Sequence, residues 1–374
     1  MSIEIIEVKT NHQKRIFLNL PAELHAGEEM WVPPLKIREK RYIDPRKNNH
    51  LNYSDIVCFL ALRDGEPAGR IMGIINHRLN EMWNDRQARF CNFESVNDEV
   101  VTMELLRAIE DWARNRGMKR VIGPLGFSNQ DPQGFLIEGF NERPSIGTIY
   151  NASYIPELIE KAGYSKEVDY VTYKIPVPDP IPPLYEKISE RVRSRTSVRM
   201  LEFKTKREAK PYLSKILRFM NETYTDIYGF LPLSEDVIRK TARTYYEIME
   251  PRLMKVIVNE NGQIVGFVFG IQDITEGFQR ARGRLLPFGY FRIKIAQKRS
   301  KRVDLLLGAI KKEYRGKGLD TVMAISMIKS AKELGMEYGD SHHELESNTR
   351  VQAEMKRLGG FIYKRHRVYQ KVLT

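Results

Sequence analysis

Two short stretches carry the residue types that proton transfer and anion binding require. DSHHELESN (340–348) sets His342, Glu344 and Glu346 at alternate positions, with His343 and Leu345 between them. On an extended strand successive side chains point to opposite faces, so the imidazole and the two carboxylates would share one face. A face of this kind can take a proton from an attacking group, directly or through water, and it is costly to bury without purpose. The bland alternative is a solvated sheet edge. Adjacent His342 and His343 would point opposite ways, so no chelating metal pair is expected. No Ser-His-Asp or Cys-His set stands out, so no covalent intermediate on the protein is expected either.

The second stretch is KKEYRGKGLD (311–320), between an apolar run (305–310) and a helical pattern (321–334). A strand that hands the chain to a helix through Gly-x-Gly turns several backbone N–H groups one way, and the helix dipole adds to them. Gly316 and Gly318 keep side chains out of the way, while Arg315 and Lys317 supply charge. Gly-x-Gly alone is weak evidence, and a simple turn is the plain reading. The stretch has neither the GKS/GKT ending of a Walker loop nor the GxGxxG of a dinucleotide fold, since Leu319-Asp320 follows. Asp320 reads as the cap of the helix, which stabilises it by about 1 kcal/mol. Beside a phosphate site the same carboxylate would repel.

The elements that must position these stretches repeat. IPVPDPIPP (175–183) has five prolines in nine residues and divides the chain, with a charged helix (184–195) completing the linker. In the first half a strand–turn–strand unit centres on Asp64-Gly65; in the second it centres on Asn261-Gly262. Each half then shows a further strand and an amphipathic helix that stops at a glycine, Gly117 or Gly335. Each finishes with an asparagine, a short helix, a glycine and an aromatic strand. The ordered set argues for internal duplication. The expected architecture is α/β: a first domain over 1–175, a linker over 176–196, and a second domain over 197–374 with an insertion at 275–302.

Bulk properties bound the rest. The chain has 374 residues, 42% of them hydrophobic, enough for two cores. No apolar run reaches the ~20 residues needed to span a bilayer. The N-terminal stretch lacks the apolar core and cleavage site of a signal peptide. Two cysteines, Cys58 and Cys91, sit in strand-like stretches and read as buried thiols in a reducing cytoplasm. Of the net charge of +13, +8 lies in the insertion, which holds nine Lys/Arg and one acid, Glu276. Its cations interleave with Leu285, Leu286, Phe288, Tyr290, Phe291, Ile293 and Ile295. Three readings compete there: an element lying on an anionic membrane surface, a nucleic-acid surface, and a solvated excursion over a cleft. The chain has no recognisable nucleic-acid module, which weighs against the second. Any membrane contact is expected to be peripheral, at the cytoplasmic face.

RGKGLD in this setting resembles the acyl-CoA signature of the GNAT (GCN5-related N-acetyltransferase) superfamily. Asn348-x-Arg350 followed by LGGF (358–361) resembles that superfamily's last helix and strands. With WVPPL (31–35), DGEPAGRI (64–71) and KRHRVYQK (364–371), the whole is similar to bacterial tandem-GNAT proteins, some of which are associated with ceramide synthesis. The resemblance implies two GNAT-like domains, each a mixed, largely antiparallel sheet flanked by helices. It implies acyl transfer from acetyl-CoA or a longer acyl-CoA to a primary amine by direct attack, without a metal. It places the pantetheine arm at Ile310, the pyrophosphate at the amides of Arg315, Gly316, Lys317, Gly318 and Leu319, and the acyl-CoA arm within reach of Asn348. Glu346, in a Glu-x-Asn pattern, is the foremost base, with His342 and Glu344 beside it. Met355 stands where many members carry a tyrosine acid, so Tyr369 or Tyr363 would have to replace it. A membrane amine such as a sphingoid base is an alternative acceptor, and a catalytically dead acyl-CoA- or lipid-binding module is the non-enzyme alternative. In the first half, FESVNDEVV (93–101) has no glycine and three acids, so that half is expected to have lost donor binding.

Overall fold

A computed structural model describes residues 2–195 and 197–374. Along the chain the first half runs β1 (Ile3–Glu7), α1 (Asn11–Leu24), α2 (Lys36–Tyr42), β2 (Ser54–Arg63), β3 (Glu66–Asn76) and α3 (His77–Trp83). It continues with β4 (Gln87–Ser95), α4 (Glu99–Arg114), β5 (Arg120–Gly123), β6 (Phe135–Glu138), α5 (Ile155–Lys161) and β7 (Ser165–Pro176). The second half runs α6 (Pro183–Arg193), β8 (Arg199–Glu202), α7 (Lys206–Thr223), α8 (Glu235–Ile248), β9 (Met254–Val258) and β10 (Ile264–Gln272). The insertion forms α9 (Thr275–Ala281) and α10 (Gly289–Arg299). The order then closes with β11 (Arg302–Ile310), α11 (Leu319–Glu333), β12 (Tyr338–Asp340), β13 (Glu344–Leu345), α12 (Thr349–Arg357) and β14 (Phe361–Val372). The linker helix expected over 184–195 is α6; Thr196, the last linker residue, lies outside the described residues.

Turn chemistry explains the two hairpins. Asp64 and Gly65 both have positive φ, 51° and 87°, as a two-residue turn between paired Arg63 and Glu66 requires. In the second half Val258 pairs with Ile264 across a longer loop, closed by Gly262 at φ 74°. The helices that follow end alike. Gly117 and Gly335 take the left-handed conformation, and the next residues, Met118 and Met336, donate back to Ala113 and Ala331 at 3.1 and 2.9 Å. The asparagine match is looser. Asn348 caps α12, whereas Asn151 is buried and bonds both backbone groups of Leu136, at 2.7 and 3.2 Å.

Two compact units result, and they do not follow sequence order. One comprises Met1–Val171, Thr275–Lys294 and Lys364–Thr374; the other comprises Thr172–Ile274 and Ile295–Tyr363. Most of the insertion therefore groups with the first unit, although it interrupts the second in sequence. Gln279 Nε2 donates to the carbonyls of Glu29 and Trp31 at 2.9 and 3.1 Å, and the Lys36 amide donates to the Gly283 carbonyl at 3.0 Å. The WVPPL stretch is thus the strap that fastens the insertion.

Each unit builds the same sheet. In the first, antiparallel β1-β2-β3-β4 is followed by β5, parallel to β4, and then by the last strand of the chain, β14, which pairs Tyr369 with Gly123 and Val372 with Arg120. In the second, antiparallel β8-β9-β10-β11 is followed by β12, parallel to β11, and then by the end of β7, which pairs Lys174 with Asp340 and Pro176 with Tyr338. The closing strands are exchanged between the halves of the sequence. The first core holds Phe90, Leu105, Ile109 and Tyr369 under α4, and Phe17, Leu20 and both cysteines under α1. Cys58 and Cys91 are buried free thiols, and burial pushes Cys58 up to about 12. In the second unit α11 covers one sheet face through Leu319, Met323 and Met327, and α7 lies across Phe267 through Phe219.

Candidate active site

The site begins where two parallel strands part. β11 and β12 pair only at Arg302–Tyr338, Val303–Gly339 and Asp304–Asp340. β11 then runs on to Ile310 without a strand partner on that side among the described residues. The base of the split is ionic. Asp304 and Asp340 are register partners and both have no exposed surface. Arg302 binds Asp304 at 2.7 Å and Asp273 at 2.8 Å. Burial pulls the guanidinium down, but Asp304, Asp273 and Asp340 together hold it well above its ordinary value, so it is a fixed cation. Asp340 accepts the Tyr363 hydroxyl and also the His342 amide, at 2.7 Å. That second bond ends the strand, because it turns His342 to φ +58°.

This turn overturns the alternation expected for 340–348. With His342 in the left-handed region, His342, Glu344 and Glu346 do not follow one another along a single strand face. Instead the His342 and His343 rings lie tilted against each other with centroids 5.3 Å apart. Glu344 opens the two-residue strand β13, and burial alone raises its carboxyl to about 8. Glu346 offers its backbone carbonyl to Gln352 Nε2 at 2.7 Å.

The open edge of β11 is dressed by side chains. Gly308 donates its N–H to the Tyr224 hydroxyl at 3.2 Å, and that hydroxyl donates to the Gly308 carbonyl at 3.0 Å. Both backbone groups of Gly308 therefore face away from β10. Two residues on, the Ile310 carbonyl accepts Arg315 Nε at 3.0 Å. Tyr224 closes the C-terminus of α7; burial raises its phenol, and the neighbouring Glu344 adds to the shift. Glu344 and Tyr224 thus belong to one desolvated neighbourhood at the split.

Beyond Ile310 the chain makes one tight turn, Lys312–Tyr314, and then Gly316 and Gly318, both at φ +80°. Only glycine takes that conformation without strain. A Cβ at Gly318 would also come within 2.8 Å of Val192 on α6. Gly318 is the N-cap of α11, and no side chain caps the helix. Asp320 is therefore not the cap expected from sequence. It is the second residue of the helix, accepts the Thr321 amide at 3.0 Å, and pairs with Arg350 of α12 at 3.3 Å. Lys317 Nζ lies 4.8 Å from the Tyr314 ring centre. An uncapped helix start, two cations and an acid offset by Arg350 fit an anionic group.

Other expected residues fall elsewhere. Tyr369 belongs to the first unit's core, has no exposed surface, and donates its hydroxyl to Glu160 at 3.0 Å. Asn348 accepts the Val351 amide at 3.4 Å, as the cap of α12. Sequence reasoning missed Tyr224, which follows a helix without any motif. It also missed Arg302, Asp304 and Asp340; the lone Asp304 inside VDLLLGAI, a charge within an apolar strand, was the available signal.

The first unit repeats the split without the chemistry. β4 and β5 also pair over only three residues, Gln87–Arg89 with Arg120–Ile122. Here α4 is capped by Asp98, whose carboxylate takes the Val100 and Val101 amides at 2.9 and 3.3 Å and binds Arg63 at 3.1 Å. An anion at that helix start would meet a carboxylate already in place. Among the described residues, no group of three or more His, Cys, Asp or Glu side chains is arranged to hold a metal ion, and no helix is long and apolar enough to cross a membrane.

Two sheets that each split after a three-residue parallel pair, joined in one chain, define the tandem GNAT fold. A tandem GNAT protein from the clavulanic acid biosynthesis pathway superposes on the whole of this chain and 99% of its own with a TM-score of 0.57, at 11% identity. A GCN5-related N-acetyltransferase from Anabaena variabilis gives 0.51 at 9% identity, over 100% of this chain and 73% of that one. No protein-family model matches the chain. In sequence the chain is 28% identical over 382 residues to a bacterial ceramide synthase from Caulobacter vibrioides, spanning 99% of this chain and 98% of that protein. It is 25% identical over 366 residues to Protein YghO of Escherichia coli, spanning 96% and 92%. The fold and the full-length relative together support N-acyl transfer.

Proposed function

We propose that the second unit transfers an acyl group from an acyl-CoA thioester to a primary amine by direct attack, with a long-chain amine of the sphingoid type as acceptor. The observation that carries the reading is the unpaired edge of β11 leading into the uncapped glycine turn of α11. An extended arm would pair with this edge by displacing the Tyr224 hydroxyl from Gly308 and Arg315 Nε from the Ile310 carbonyl, and the turn offers helix amides with Arg315 and Lys317 to a pyrophosphate. The bound thioester supplies the activated acyl carbon. Attack forms the N–C bond and breaks the C–S bond, and CoA leaves as a thiolate that takes a proton from solvent; Glu344 takes the proton that the amine nitrogen loses, and a carboxyl near 8 is a stronger base than an ordinary glutamate. Tyr224, kept protonated by burial, donates a hydrogen bond at the same edge. The likeness to a protein named bacterial ceramide synthase supports the long-chain acceptor.

The test is to incubate the full chain with acetyl-CoA or palmitoyl-CoA and sphinganine, following free thiol and N-acyl product by mass spectrometry. Thioester-dependent product, lost in Glu344→Gln with donor affinity retained, is expected. Failure to bind either thioester by calorimetry would sink the reading. Binding without turnover on any amine would leave a module that holds the donor and does no chemistry.

A further inference from the structure

We propose that the loop joining α9 to α10, together with the outer face of α2, seats the protein on an anionic lipid surface. Twelve large hydrophobic side chains are exposed among the described residues, and five of them, Leu286, Phe288, Tyr290, Phe291 and Ile295, fall within residues 286–295. Leu286 is 82% exposed, Phe288 65% and Phe291 62%. α10 buries Ile293 and turns Phe291 outward, so its apolar residues divide between the core and solvent. Isolated exposed apolar residues are ordinary; a run of them along one loop, Leu286 and Phe288, and into the helix that follows it, Tyr290, Phe291 and Ile295 of α10, marks an interaction surface.

The charge around the run selects the partner. From Gly277 to Arg302 the chain has no acid, and Arg282, Arg284 and Arg292 are exposed beside the apolar tips. Glu276, the acid that precedes them, is held by Arg280 and lies 3.6 Å from Arg143. The strap residues carry the patch onto α2, where the Lys36 amide meets the Gly283 carbonyl. There Ile37 is 52% exposed and is followed by exposed Arg38, Lys40 and Arg41. Apolar tips rimmed by cations on a fixed loop fit a headgroup layer, where the tips reach the acyl boundary and the cations meet lipid phosphates. A nucleic acid would need aromatics spaced along a continuous basic groove, which is not the arrangement here.

Co-sedimentation of the full chain with vesicles tests this without any turnover, so it stands apart from the proposed reaction. Phosphatidylcholine vesicles with and without about one third phosphatidylglycerol are the probe. Binding is expected only to the anionic vesicles and should weaken with added salt. Arg282→Gln with Arg284→Gln should lower the partition coefficient by roughly thirtyfold. Leu286→Ser and Phe288→Ser, at positions outside any core, should each lower it by about tenfold. Equal binding to neutral and anionic vesicles, or no binding to either, would overturn the proposal. So would concentration-dependent self-association, seen by sedimentation velocity without lipid and abolished by the same serine variants, since the patch would then cover a second copy.

Discussion

A carboxyl that titrates near 8 instead of 4.5 is mostly protonated at neutral pH, and this decides how Glu344 can be tested. As a base it works only when ionised, so kcat/KM should rise with pH through about 8 and then level, and Glu344→Gln should abolish that limb and lower kcat by about a hundredfold or more. Stability gives an independent readout. Below 4.5 both folded and unfolded chains hold the proton; as pH rises the unfolded chain ionises first, so the stability contributed by the half-buried, desolvated acid is lost between about 4.5 and 8. The melting temperature of the native protein should therefore fall relative to Glu344→Gln across that window, and parallel curves would show that the carboxyl is not buried as described. Tyr224→Phe removes the hydroxyl from both backbone groups of Gly308. It should lower kcat by about tenfold while donor affinity stays within about threefold. At this scale the sequence was half legible. Glu344 was visible as one acid among three candidates, but a strand reading could not foresee that Asp340 would turn His342 out of alternation. Tyr224 arrives from a helix end some eighty residues away, beyond the reach of any local pattern.

Elements were more legible than side chains. Hairpin turns, glycine stops and the strand–glycine–helix transition were readable because each rests on a local backbone demand. The cap of α11 was misread because Asp320 has a capping residue's chemistry, while Gly318 already supplies the left-handed turn two residues earlier. Its true partner, Arg350, comes from α12 and needed the tertiary structure. This pairing yields a prediction about the turn as a unit. Arg350→Ala leaves the Asp320 carboxylate uncompensated in the first turn, where a donor phosphate would be repelled, so acyl-CoA Kd should rise by about fivefold. Adding Asp320→Asn should restore it. If calorimetry shows the double variant no better than the single one, Arg350 acts directly on the ligand and not through Asp320. The contrast with α4, whose amides are taken by Asp98, gives physical content to the absence of glycine from 93–101.

At the scale of the molecule the duplication was readable and the exchange was not, because strand order in space leaves no mark on strand order in sequence. Residues 364–374 supply Val368 and Tyr369, both without exposed surface, to the first unit. A fragment of residues 1–175 should therefore show no cooperative thermal transition by circular dichroism, whereas one that melts cooperatively would mean that the first unit is complete without β14. The same exchange sets a timetable for synthesis. β5 is made near residue 120, but the strand that covers its edge appears about 240 residues later. At ordinary translation rates that is roughly 10–50 s with a bare strand edge on the nascent chain. Unpaired edges are the usual start of misassembly. A cell making this protein must shield the first half while the second is being written, and slowing translation without such a shield should lower the soluble yield.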